Sequence, residues 1–149
     1  MDGEAVSAAE IRAMIEQVYA MASWHTGGEV DYPPVAQGRW VIMRGQVVST
    51  LIKNNPDGSR AVVALYGRYH IDDGRFRYCY DGGDATVHGA AGAAAMAIPV
   101  TFGEYMNYAV ARDSDGLRLV GDDAELRLNP QGIDYYEKGA LQRKWLRIE

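Results

Sequence analysis

Between Gly38 and Tyr80 the chain alternates apolar and polar positions through four extended segments. They are interrupted at Arg44-Gly45, at Asn55-Pro56-Asp57-Gly58 and at Asp72-Asp73-Gly74. These interruptions carry turn chemistry: glycine for positive φ, Asn and Asp for local backbone bonds, proline for a preset φ. Strands joined by tight turns are antiparallel neighbours, because a parallel pair needs a long crossover. On one segment Val63, Leu65, Gly67, Tyr69 and Ile71 share a face that reads as core. On the next, Phe76, Tyr78 and Tyr80 alternate with Arg75, Arg77 and Cys79, so the aromatic trio points inward.

The pattern resumes at Thr101, where strict alternation puts Phe102, Glu104, Met106, Tyr108 and Val110 on one face. Turns at Asp113-Ser114-Asp115-Gly116 and Gly121-Asp122-Asp123 separate two further strands, and residues 138–149 close the chain. Ahead of the sheet, Ser7 and Glu10 form a capping box, and Ile11, Met14, Ile15 and Val18 fall at helical spacing. A short helix therefore leads into a first strand through Ala20 to His25. The expectation is an all-β, small antiparallel up-and-down barrel of eight or nine strands with a short N-terminal helix, in one domain over residues 1–149. A cone-shaped α+β fold would need more helix than the pattern supplies. The Gly/Ala-rich stretch 81–99, with a helical turn around Ala93 to Ala97, reads equally as a lid or as a flexible connector.

Composition changes the picture at a few points. Net charge is −5 with acids and bases interspersed, which gives no basic face for a phosphate backbone and no attraction to an anionic membrane. No leader-like N-terminus and no run of about 18 apolar residues is seen, so the expected setting is cytoplasmic. The one cysteine, Cys79, reads as a buried small hydrophobe. Ten Tyr and three Trp stand against two Phe. That balance suggests an interior that is apolar but not dry, although tyrosines are also good strand residues with hydroxyls at the surface.

Several segments resemble the bacterial lipocalin-like domain of the calycin superfamily. Gln17 to Trp24 sits where its opening strand would be. Gly38-Arg39-Trp40 and Tyr66-Gly67-Arg68-Tyr69-His70-Ile71-Asp72 match its middle motifs, and Trp145-Leu146-Arg147 its closing strand. The resemblance spans residues 17–149; Gln17 and Tyr19 replace the usual opening Gly and Trp, and the Gly/Ala stretch is a further departure. It implies a barrel with a central apolar cavity. Relatives on that architecture include both carriers and small enzymes, so the chemistry stays open.

No metal-ligand spacing, phosphate loop or nucleophile elbow is present; His25, His70 and His88 lie far apart. Neither a cofactor nor a metal is expected. The leading reading is binding of a small apolar or aromatic molecule, with Tyr19, Met21, Arg39, Trp40, Tyr69, Phe76, Tyr78, Tyr80, Met106 and Trp145 as lining candidates. Arg39 is the candidate anion clamp. The alternative is a cofactor-free lyase, isomerase or cyclase using a buried acid/base pair, with Glu104, His25 and Tyr108 as candidates. No nucleic acid or membrane partner is expected, and a homodimer is left open.

Overall fold

The computed structural model describes residues 5–90 and 95–148. Its strands are β1 (Val18–Thr26), β2 (Glu29–Asp31), β3 (Ala36–Met43), β4 (Gln46–Asn54), β5 (Arg60–Asp72), β6 (Arg75–His88), β7 (Met96–Ala97), β8 (Met106–Arg112), β9 (Leu117–Val120), β10 (Ala124–Asn129), β11 (Gly132–Glu137) and β12 (Ala140–Ile148). Ten of them close into an antiparallel barrel in the order β1-β3-β4-β5-β6-β8-β9-β10-β11-β12, with β12 returning to β1. Closure removes exposed sheet edges. β2 lies outside this ring on β1, and β7 lies outside it on β6.

The turns fall where the sequence placed them. Arg44 and Gly45 both take positive φ, 54° and 81°, as a two-residue hairpin between β3 and β4 requires. The barrel gains one strand over the upper expectation because Gly132–Glu137 forms β11. Its adjacent Tyr135-Tyr136 breaks simple alternation, and the β11–β12 register shifts at that point. Residues 81–88 are likewise strand, not loop: β6 runs to His88 and pairs with β5 along its whole length. A shift between Tyr66 and Gly67 accommodates that long hairpin. Gly67 is required there, since a Cβ would sit 1.8 Å from the Cys79 carbonyl oxygen. Of the expected helical turn at Ala93 to Ala97, residues 93 and 94 lie outside the described residues. Met96–Ala97 forms the short β7.

Helix α1 (Ala8–Ile15) closes one end of the barrel, here the lower end. The Ser7 hydroxyl accepts from the Glu10 amide at 3.1 Å, and Ile11 and Ile15 are fully buried. Three contacts tie the helix to lower hairpins. The Ala8 amide donates to Asp73 at 2.8 Å, Gly74 donates to the Val6 carbonyl at 2.6 Å, and Arg112 pairs with Glu10 at 2.8 Å. Above the helix sits an aromatic core. Phe76 lies 5.9 Å from Tyr69 and 5.9 Å from Tyr78 between ring centres, and Tyr78 stacks on Tyr108 at 6.1 Å and 2°. Ten strands enclose a wider interior than eight, and large rings are what fill it. Among the described residues, no helix is long and apolar enough to cross a membrane.

Candidate functional site

The upper half of the barrel is less completely filled. A cavity of about 230 Å³ is walled by Trp40, Ser49, Leu51, Val63, Leu65, Tyr78, Tyr80, Met106, Tyr135, Arg143 and Trp145. Seven barrel strands supply these side chains. β3 gives Trp40, β4 gives Ser49 and Leu51, and β5 gives Val63 and Leu65. β6 gives Tyr78 and Tyr80, and Tyr135 comes from β11. Arg143 and Trp145 alternate inward along β12, and Met106 at the start of β8 stands half-exposed at the rim. Tyr78 forms the floor, shared with the aromatic core below.

Trp40 lies 5.6 Å from Trp145 and 6.2 Å from Tyr78 between ring centres. Trp40 is 5% exposed, yet its indole Nε1 has no hydrogen-bond partner. The buried Nε of Arg143 also has none. The Arg143 guanidinium is held between aromatic faces, 4.7 Å from the centre of the Trp24 ring and 5.1 Å from that of Tyr135. The Tyr135 hydroxyl donates to Glu137. Above Trp24, Lys53 lies 5.2 Å from the ring centre and pairs with Asp31 at 3.6 Å.

Of the lining candidates read from the sequence, Trp40, Tyr78, Tyr80, Met106 and Trp145 wall the cavity. Tyr19, Met21, Tyr69 and Phe76 are buried but fill the barrel elsewhere. The Tyr19 hydroxyl donates to the Ile15 carbonyl at 2.8 Å, and the Tyr69 hydroxyl donates to Glu16, both at the helix end. Arg39 is exposed and bonds back to the Gly38 carbonyl. It alternates with the buried Gly38 and Trp40, so it faces outward and does not clamp anything in the cavity.

The acid/base candidates are not brought together. Glu104 precedes β8 and is exposed, because the strand that would have turned it inward begins only at Met106. His25 bonds to Ser23 at 2.8 Å, and the β1–β12 register shifts between Met21 and Ser23. That shift sets Trp24 opposite Arg143, where an unbroken register would set Ser23. Tyr108 is buried, stacked beneath the cavity on Tyr78. The sequence reading did not single out Arg143, Tyr135 and Ser49. Arg143 shares a face with Trp145 by simple alternation, and that was the available signal. Cys79 is fully buried, as expected. Among the described residues no cluster of His, Cys, Asp and Glu is arranged to hold a metal.

Burial is the largest influence on the phenols. It pushes Tyr80 up to about 12 against the opposing effect of Ser49, and raises Tyr78 well above its ordinary value. Tyr69 is likewise pushed up to about 12, by burial first and by its bond to Glu16 second. Unfolded phenols ionise near 10.0. Above that pH the unfolded chain loses protons that the folded barrel keeps, so the stability these groups supply is whole below pH 10 and is lost as pH rises through about 12. Tyrosinate absorbance is therefore expected in two stages, the second coinciding with loss of β-sheet circular dichroism. A single stage near the ordinary value, with the sheet intact, would contradict the buried setting.

Compared with protein-family models, curated proteins and solved structures, the chain shows no match.

Proposed function

We propose that the barrel binds one small aromatic or apolar molecule in its upper cavity, as a lipocalin-like domain would. The observation that carries this reading is the cavity itself, about 230 Å³ of space among Trp, Tyr, Leu and Val side chains with a few polar atoms directed into it. An apolar protein cavity of about 150 Å³ holds a benzene molecule. The space here suits one ring with a short substituent and excludes long lipids. The alternative, a cofactor-free lyase, isomerase or cyclase, needs a proton acceptor in the cavity. Neither a carboxylate nor a histidine lines it among the described residues. Its phenols are protonated at neutral pH, and burial moves their ionisation further from neutrality, so they are donors and not bases there.

Toluene is the simplest probe. Titrated into the protein, it is expected to bind saturably at one site and to shift the indole N–H resonances of Trp40 and Trp145 together. The exposed Glu104 gives a control: Glu104→Gln should leave both binding and stability unchanged, within about 0.5 kcal/mol. No saturable binding by a folded sample would remove the binding reading.

A further inference from the structure

The walls of the cavity are unbalanced between donors and acceptors. Two buried donors, the Trp40 indole Nε1 and the Arg143 Nε, point to no acceptor in the protein. A buried donor without a partner costs more than a hydrogen bond returns, so such pairs mark a place where an acceptor is supplied from outside. Water can accept from both, but it leaves the guanidinium charge uncompensated. The nearby carboxylates are engaged elsewhere: Glu137 accepts from Tyr135, and Asp31 pairs with Lys53. No carboxylate pairs with Arg143 among the described residues. Trp24 and Tyr135 hold its planar group from the sides, which fixes its position without neutralising it. The remaining wall is apolar, apart from hydroxyls that can donate or accept.

We propose that the occupant of this cavity is an organic anion, an aromatic or short-chain carboxylate whose oxygens accept from the Arg143 guanidinium and the Trp40 indole while its apolar body lies against Leu65, Tyr78 and Trp145. The inference rests on the binding reading above and adds a charge and an orientation to it. The acid group is set at the β12 side of the cavity and the ring above the Tyr78 floor. Planar guanidinium suits a planar carboxylate, which a lysine in the same place would hold only as a point charge.

Benzoate, benzamide and toluene separate the ideas, because they share a ring and differ in charge and acceptors. Calorimetric titration is expected to show benzoate binding about tenfold or more tighter than benzamide, since hydrogen bonds to charged groups are the stronger class. Arg143→Gln should bring the two within about twofold of each other while toluene still binds. Trp40→Phe, which keeps the ring and removes the donor, should weaken benzoate several-fold and toluene little. Thermal unfolding of each variant establishes that it is folded. If benzamide equals benzoate in the native protein, or if folded Arg143→Gln keeps the preference, the anion proposal is overturned. Toluene binding would then still support the simpler reading. If none of the three probes binds, both fall together.

Discussion

Replacing Ser49 with phenylalanine is expected to abolish binding of toluene and benzoate while leaving the barrel folded. Ser49 is 7% exposed, pairs with Trp40 across β3 and β4, and faces the cavity beside Tyr80. A phenyl ring grown from that position occupies most of the space a small aromatic ligand would use. Affinity should fall by about a hundredfold or more, because the ligand would have to displace a covalently tethered competitor. Stability should hardly move, as two effects oppose. Filling an apolar void contributes roughly 0.5–2 kcal/mol. Losing the serine hydroxyl next to Tyr80 costs about 1 kcal/mol. Denaturant unfolding checks the second statement and probe titration the first. Undiminished binding in a folded Ser49→Phe protein would place the occupant somewhere other than this cavity.

The turns were the legible part of the fold. Arg44-Gly45, Asn55 to Gly58, Asp72 to Gly74 and Asp113 to Gly116 each join the strands their chemistry assigned, and Ser7 caps the helix. The inward faces of β5 and β6 also followed from alternation, with Tyr69, Phe76 and Tyr78 buried. What alternation could not carry across was a bulge. The register shifts between Met21 and Ser23, between Tyr66 and Gly67, and between Tyr135 and Tyr136. Each shift leaves one residue without a cross-strand partner: Ala22 on β1, Asp81 on β6 and Gln142 on β12. The first sets Trp24 opposite Arg143, where an unbroken register would set Ser23. The second lies where β6 runs on past Tyr80 into its Gly-rich residues, and the third lies between β11 and β12. Nothing in the local composition near Ala22 or Gln142 marks an extra residue, because the register is set by the pairing with the neighbouring strand.

Two errors had simpler causes. Glu104 was assigned a face by extending alternation past the beginning of a strand, where no sheet exists to enforce it. Arg39 lies between Gly38 and Trp40, and alternation alone already placed it outside. The arginine that does line the cavity, Arg143, stands two residues before Trp145, where an apolar face would ordinarily exclude a charge. An inward arginine is tolerated there because the aromatic faces of Trp24 and Tyr135 contact it and an unfilled cavity adjoins it. The cavity itself had no sequence signature, since it is a remainder: the space left when side chains from seven strands fail to meet.

Phe76→Ala is expected to cost about 3–5 kcal/mol of stability. Phe76 is 1% exposed and sits in the middle of the lower aromatic core, within 6.3 Å of the ring centres of Tyr69, Tyr78 and Tyr108. Its removal subtracts the burial of a whole ring and its tilted contacts with three others. It also leaves a void that cannot easily collapse, because the barrel wall is continuous and α1 closes the end below. For a domain whose total stability is about 5–15 kcal/mol, that is a large share. The melting temperature should drop on the order of 10 °C. Phe76→Leu keeps most of the volume and should cost only about 1–2 kcal/mol. The same substitution reaches the site, since Tyr78 is both the neighbour of Phe76 and the floor of the cavity. Toluene should bind Phe76→Ala more weakly than the native protein even below its melting temperature, as Tyr78 tilts into the vacated space. A loss of no more than about 1 kcal/mol would mean that the lower rings are loosely packed. The fixed floor on which ligand orientation depends would then be absent.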